Sequence, residues 1–408
     1  MKQSDKSKCR SISTFRTLGG LVCCVFLANC GPGEEVASDE TEQNVEEAVV
    51  SEWRIFRGNS ELQGVSEEVL EPPLNLAWTF ETPGDKNGNR APVDASPVIA
   101  DGKVFVGTQF GDFVAIDLET GEQLWVFEEP GAVSAPAAVF DGMVFFGDQD
   151  GFVFCLDAET GEEKWRFETW GKIEGGVNAL VTEEGELRIF IGSHDNSLYC
   201  LNAETGEEIW SYETGNYIVA TPAIINSSGE PAITFGGCDA LLHILPVSGD
   251  EEQKREVEIG AYVANSAAVR DGICYVAHNG GEILAIDVAA GEEVWRIKTG
   301  AEYTASPAVG EKLLFVASPK NDLTAFDRVT GEEKWKFLTR RSLDSSPVIS
   351  GEIVWQAGID GRLYAVNASD GTEAWSFDVG TKIKSSPAVS RGTLVVGGDD
   401  GRVYAFRK

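Results

Sequence analysis

The sequence predicts an all-β fold: an eight-bladed β-propeller of four-stranded antiparallel blades, closed by pairing of an N-terminal strand with the C-terminal blade. Three observations predict it. One phrase recurs as AIDLETGEQLW (115–125), CLDAETGEEKW (155–165), CLNAETGEEIW (200–210), AIDVAAGEEVW (285–295), AFDRVTGEEKW (325–335) and AVNASDGTEAW (365–375). The interval is close to forty residues, and the one double interval holds HILPVSGDEEQK (His243 to Lys254), a worn copy without the Trp. A period of about 40–45 residues with four strands is that of a propeller blade. Finally, the chain stops at VYAFRK (Val403 to Lys408) where a fourth strand is due, while LNLAWTFET (Leu74 to Thr82) carries Trp78 ahead of the first complete blade. The surplus strand at one end fills the deficit at the other.

Each blade divides in the same way. In the first, ASPVIA, KVFVGT, DFVAID and EQLWVFE are short, alternating and rich in Val, Ile, Phe and Trp, with Asp-Gly or Gly-Asp turns between them. The repeated phrase is then the hairpin from third to fourth strand. Its Gly supplies positive φ, its Asp or Asn accepts backbone N–H bonds, and its Trp offers a large apolar plate to the neighbouring blade. Third strands ending at Asp117, Asp157, Asn202, Leu245, Asp287, Asp327, Asn367 and near the C-terminus count the eight blades. Cys155 and Cys200 share one strand position, where a free thiol acts as a small hydrophobe.

Four segments precede or form the globular body. Residues 1–30 read as an export signal, with Lys2, Lys6, Lys8, Arg10 and Arg16 ahead of the apolar run LGGLVCCVFLANC (Leu18 to Cys30). That run falls short of the ~20 apolar residues of a membrane span. LANC (Leu27 to Cys30) resembles the lipobox of bacterial lipoproteins, with Asn29 at the position that usually holds Gly, Ala or Ser; the resemblance implies acylation of Cys30 and anchoring in the outer membrane or periplasm, the alternative being an ordinary secreted protein. Residues 31–52 contain eight acidic residues and no Lys or Arg, which reads as a disordered tether. Residues 53–73 form a prefix beginning WRIFRGNSELQG, and 74–408 the propeller.

Charge and motif content limit the function. A formal charge of −33 repels phosphate backbones, so nucleic acid is excluded as a partner. With three His there is no Ser-His-Asp constellation to assemble, and no GxxxxGK[ST] loop occurs. His194, Cys238 and His278 fall in turns of successive blades, too far apart for bonds of about 2 Å to one ion. The turns GDQDG (Gly147 to Gly151) and GGDDG (Gly397 to Gly401) lack the ligand series of a calcium loop. The reading is a monomeric binding protein without a cofactor or metal.

The two faces of the propeller differ. The ETGEE turns gather carboxylates on one face, which first-to-second turns share. The other carries the second-to-third turns and the links between blades, with Tyr217, Tyr262 and Tyr303 in one sector and Arg340, Arg341, Lys382 and Lys384 in another. Tyr and Arg are enriched in binding patches, so these seven residues are the candidate partner-binding set, against the alternative that they are ordinary links. First strands line the central channel, and Asp344, Lys384 and Asp94 align in consecutive blades as a charge cluster at its mouth.

The repeats resemble the pyrroloquinoline-quinone-type propeller family over residues 74–408. One branch comprises quinoprotein dehydrogenases, which use an adjacent cysteine pair, a calcium ion held by carboxylates and amides, and a catalytic Asp. The adjacent pair here, Cys23–Cys24, lies in the leader. The other branch comprises binding propellers similar to BamB-like outer-membrane assembly lipoproteins. That branch implies a membrane-anchored envelope scaffold which assists outer-membrane protein assembly through protein contacts. The alternatives are a quinone-dependent oxidoreductase and an extracellular carbohydrate-binding or adhesive propeller.

Overall fold

A computed structural model describes residues 52–84, 87–225 and 231–408. The leader, the lipobox with Cys30 and nearly all of the acidic tether lie outside the described residues. Among the described residues, eight blades of four antiparallel strands follow one another along the chain, and blade 7 gains a fifth strand, Val65–Ser66 of the prefix, which runs parallel to Val348–Ser350. Blade 1 comprises Val98–Ala100, Lys103–Gly107, Phe113–Asp117 and Gln123–Phe127, and blades 2 to 7 repeat the pattern. In blade 8, Ala388–Ser390, Thr393–Gly397 and Arg402–Arg407 are completed by Asn75–Glu81, which pairs antiparallel with Arg402–Arg407. The ring closes as the sequence predicts.

The repeated hairpin works as its residue types require. Asp117 Oδ1 accepts the N–H groups of Glu119 at 3.0 Å and Thr120 at 2.7 Å. The Thr120 bond is the leading cause holding this carboxyl below its usual range. Gly121, at φ 76°, completes the turn, and a Cβ there would stand 2.7 Å from the indole of Trp78. The same indole donates to the Leu118 carbonyl at 2.9 Å. Trp125, Trp165, Trp210, Trp295 and Trp335 make the equivalent bond to the next blade's turn. Gly and Trp therefore recur together for two reasons: the turn needs positive φ, and the indole needs a bare backbone to lie on.

Within a blade, a cross-strand row runs small, aromatic, small, Trp. Blade 1 reads Val98, Phe105, Ala115, Trp125, and blade 6 reads Ala308, Phe315, Ala325, Trp335. The third-strand position must be small because two rings straddle it, 5.8 Å apart in blade 1 and 5.6 Å in blade 6. Cys155 and Cys200 occupy this position, buried, with burial pushing both thiols up to about 12. A register shift just before each Trp, such as that between Ala115 and Ile116, re-aims the ring toward the next blade.

Two devices bind the blades at the axis. The first is a belt: the N–H groups of Gly176, Thr221, Ser266, Ser306, Ser346 and Ser386 donate at 2.7–3.0 Å to the hydroxyls of Thr221, Ser266, Ser306, Ser346, Ser386 and Ser96, respectively. In blade 2 the position is Pro136, which has neither N–H nor hydroxyl, and the belt is interrupted there.

The second device is the prefix, whose role the sequence leaves open. Carbonyls of Trp53, Arg54, Ser60, Glu61, Gln63 and Gly64 accept, at 2.7–2.9 Å, the N–H groups of Ile99, Val139, Ile224, Val269, Val309 and Ile349, one from the first strand of each of six blades. Asn178 of blade 3 donates to Ser60 O, and Glu68 takes the N–H groups of Arg391 and Gly392 in blade 8. The prefix thus bonds to all eight blades in turn.

Arg57 sits at its centre, 1% exposed, donating to Pro347 O at 2.7 Å and Pro307 O at 2.8 Å. Burial pushes its guanidinium down to about 9, which leaves it charged at neutral pH. Gly64, at φ 68°, is obligatory here, since a Cβ would lie 1.9 Å from Arg57 Nη2. The prefix lies at the first-to-second turns, as the Arg54–Asp101 ion pair marks, so it seals the channel at the face carrying the acidic hairpins.

Candidate binding face

With one mouth covered by the prefix, the channel opens toward the links and second-to-third turns. Two elements build this rim, the first of them in every blade but blade 6, where Pro319 has no N–H to give. A turn residue donates its N–H to a link carbonyl: Gln149 to Ala132, His194 to Lys172, Cys238 to Tyr217, Asn279 to Tyr262 and Asp399 to Lys382. In blades 2, 3 and 8 the residue two places after that link carbonyl points its side chain back at the turn. Gln149 Nε2 meets Ser134 Oγ at 3.3 Å, and His194 Nε2 lies 3.2 Å from Glu174 Oε2.

Lys384 occupies this place in blade 8. Its ammonium lies 3.2 Å from Asp94 and 3.5 Å from Asp399. Burial opposes its charge, but the two carboxylates together hold it above the ordinary lysine range. The expected cluster is therefore corrected in one member: Asp399 of the same blade, not Asp344 of the preceding one, is the second partner. Asp399 arrives on a turn held against the Lys382 carbonyl, and the Lys384 ammonium lies between it and Asp94 of the following blade, on the side away from Asp344 of the preceding one.

Of the candidate partner-binding residues, Tyr217 is 49% and Tyr262 47% exposed, and Arg340, Arg341, Lys382 and Lys384 are exposed as expected. Lys382 lies 3.8 Å from Asp399. Tyr303 is a correction. It is 3% exposed, its hydroxyl donates to Thr299 Oγ1 at 2.8 Å, and burial pushes it up to about 12. Tyr217 and Tyr262 immediately precede the inward Ile218 and Val263; Tyr303 itself occupies that inward position. A one-residue offset along an extended link turns the side chain to the opposite side.

Two large residues on this face escaped the sequence reading. Trp170 is 89% exposed, its N–H donating to Asp195 Oδ2 at 2.9 Å, and Phe110 is 52% exposed. The signal for Trp170 was present: this Trp falls five residues after the repeat's own Trp165, where no other copy has one. Phe110, Trp170, Tyr217 and Tyr262 follow one another around the rim from blade 1 to the link between blades 4 and 5. Tyr217 is stiffened by stacking on His194, with ring centroids 4.9 Å apart and planes at 13°. Rigid aromatics beside charged and amide groups suit recognition by burial. Burial raises the pKa of the half-buried Cys238 thiol, as do Asp239 and Glu174, so its thiolate is disfavoured.

The fold and this rim define an eight-bladed propeller with one sealed mouth and one aromatic, open mouth. Residues 75–181, 149–228, 248–355 and 338–408 match the family described as outer membrane protein assembly factor BamB, and the chain belongs to that family. Among solved structures it is similar to BamB from Moraxella catarrhalis, with TM-score 0.68 and 19% identity over 83% of this chain and 98% of that one. It is equally similar in fold to quinohemoprotein alcohol dehydrogenase from Comamonas testosteroni, with TM-score 0.72 and 16% identity over 87% of this chain and 80% of that one. A europium-containing methanol dehydrogenase gives TM-score 0.66 and 14% identity over 88% of this chain and 98% of that one. No curated protein matches the sequence.

Proposed function

We propose that this propeller is a non-catalytic scaffold of the cell envelope. In this reading it is tethered to a membrane through acylated Cys30 and residues 31–52, and it holds a protein partner of outer-membrane protein assembly on its link face. The observation that carries the proposal is the series Phe110, Trp170, Tyr217 and Tyr262, exposed around the one open mouth. Membership of the BamB family supports the class of partner. The prefix supports the choice of face, because it covers the axis on the other one.

The quinoprotein neighbours raise the second reading, and the axial residues argue against it. Pyrroloquinoline quinone is a tricarboxylate and needs cations. Arg57 is engaged with two proline carbonyls under the prefix, and Lys384 is engaged with two carboxylates. The open mouth presents Asp94, Glu174 and Asp344 as well as the exposed Arg340, Arg341 and Lys382 of the link face, so no set of unpaired cations among these residues converges on the axis itself. Among the described residues no group of three or more His, Cys, Asp or Glu is placed to hold a calcium ion. These features favour the scaffold reading over the oxidoreductase reading.

Capture of envelope proteins on immobilised protein tests the reading. Trp170→Ala with Tyr217→Ala is expected to weaken capture at least thirtyfold through faster dissociation, since buried aromatic anchors are each worth about 2 kcal/mol or more. Arg340→Ala with Arg341→Ala is expected to slow association and reduce its salt dependence. Tyr303→Ala should act on stability instead. Normal capture by all folded link-face variants, with loss on reversal of Glu162 and Glu207, would place the site on the other face.

A further inference from the structure

Two blade interfaces depart from the tryptophan seat described above: Trp375 of blade 7 faces blade 8, which takes its fourth strand from Asn75–Glu81 and has no such hairpin, and blade 4 has no Trp at all. In blade 4 the cross-strand row is Ala223, Thr234, Ile244, Arg255. Both rings of the row are missing: Thr234 stands where blades 1, 2 and 3 have Phe105, Phe145 and Phe190, and Arg255 stands where they have Trp125, Trp165 and Trp210. The hairpin is replaced by a short 3-10 turn, Glu251–Gln253, and the pairing of Leu241–Pro246 with Arg255–Glu258 has no register shift. Ala232 also stands where four other blades have Met143, Ile273, Leu313 and Ile353.

The truncations coincide with a cavity of about 260 Å³ between blades 4 and 5. Ala232, Ile244 and Pro246 form one wall, Gly272, Val288 and Ala289 the other, and Arg255 borders it. Arg255 is a poor substitute for the indole. Its Nη1 reaches the Val288 carbonyl at 3.4 Å, the acceptor equivalent to those that take an indole N–H at 2.9–3.3 Å elsewhere. A Cβ on Gly291 would lie 3.4 Å from the Arg255 side chain, against 2.6 Å from the ring at Gly161 and Gly206. The Thr234 hydroxyl is fully buried beside the Cys274 thiol of blade 5.

We propose that this vacated seat is a binding pocket for an indole, the tryptophan side chain of a partner polypeptide. The ring would lie between the same backbone elements that grip six of the protein's own tryptophans, with its N–H on the Val288 carbonyl. Arg255, which is exposed, would give up its 3.4 Å contact with the Val288 carbonyl and move aside to cover the ring by cation–π stacking. The pocket opens on the acidic-hairpin face, so it is separate from the link face and independent of the reading given for it.

The test uses the full chain and N-acetyl-L-tryptophanamide as probe, followed by saturation-transfer NMR and titration, with N-acetyl-L-leucinamide as control. Saturable submillimolar to millimolar binding is expected, at least tenfold weaker for the leucine compound. Arg255→Trp should abolish binding and raise the melting temperature by restoring the seat, while Ala232→Leu, which narrows the pocket, should weaken binding at least fivefold. Trp170→Ala with Tyr217→Ala should leave it unchanged. Absence of saturable binding, equal binding of the leucine compound, or wild-type affinity in folded Arg255→Trp or Ala232→Leu would overturn the proposal, as would loss on the link-face substitutions.

Discussion

Deletion of Asn75–Glu81 is expected to leave a chain that no longer unfolds cooperatively and that associates in solution. The deletion strips the ladder from Arg402–Arg407 and removes Trp78, the plate that docks blade 8 on blade 1. Loss of the indole is worth about 2–3 kcal/mol, and each lost ladder bond about 1 kcal/mol. The sum approaches the whole stability of a domain, ~5–15 kcal/mol. The exposed edge also offers unpaired N–H and C=O groups to another chain. Size-exclusion chromatography and urea unfolding read both consequences. Trp78→Ala alone should cost about 3 kcal/mol and remain monomeric. A monomeric deletion variant with an unchanged unfolding midpoint would rule out closure by this strand.

Arg57→Ala is expected to cost about 3 kcal/mol or more, as loss of a buried, hydrogen-bonded charged group does. The side chain is the one link from the prefix to the carbonyls of Pro307 and Pro347 in adjacent blades. Removing it leaves two buried acceptors unpaired and a void beneath Gly64. Arg57→Lys keeps the charge but lacks the planar fork that reaches both carbonyls, so it should recover less than half the loss. Urea midpoints measure the difference. Midpoints within error of wild type for both variants would mean that Arg57 adds nothing to the joining of blades 6 and 7 and that the backbone bonds of the prefix suffice.

The blades were legible because their determinants are local and repeated. A turn glycine, an Asx acceptor and a Trp at fixed offsets specify the same hairpin wherever they occur, and the missing fourth strand at Lys408 announced its partner at Trp78. The prefix was not legible because nothing local dictates its path. Arg57 at φ 65° and Leu62 at φ 56° adopt conformations that residue type disfavours, imposed by first strands hundreds of residues away.

The binding face was half legible. Tyr217 and Tyr262 could be read as exposed, but Tyr303 could not be separated from them without the register of the link. Trp170 was hidden by the abundance of repeat tryptophans around it. Asp399 stands in place of Asp344 because Lys384 leans toward Asp94 of the following blade and its own turn, a direction that alignment of repeat positions does not give. The open mouth depends on the prefix sealing the other one, which no spacing reveals.

The central claim, that the link face holds a protein partner in the envelope, is tested most directly by site-specific photocrosslinking in intact cells. A benzophenone amino acid placed at Trp170 or Tyr262 is expected to give one discrete adduct of higher mass, lost when the aromatic neighbours are replaced by Ala. The same reporter at Glu162 or Glu207 is expected to give no such adduct. Adducts confined to Glu162 and Glu207, with none at Trp170 or Tyr262, would contradict the account.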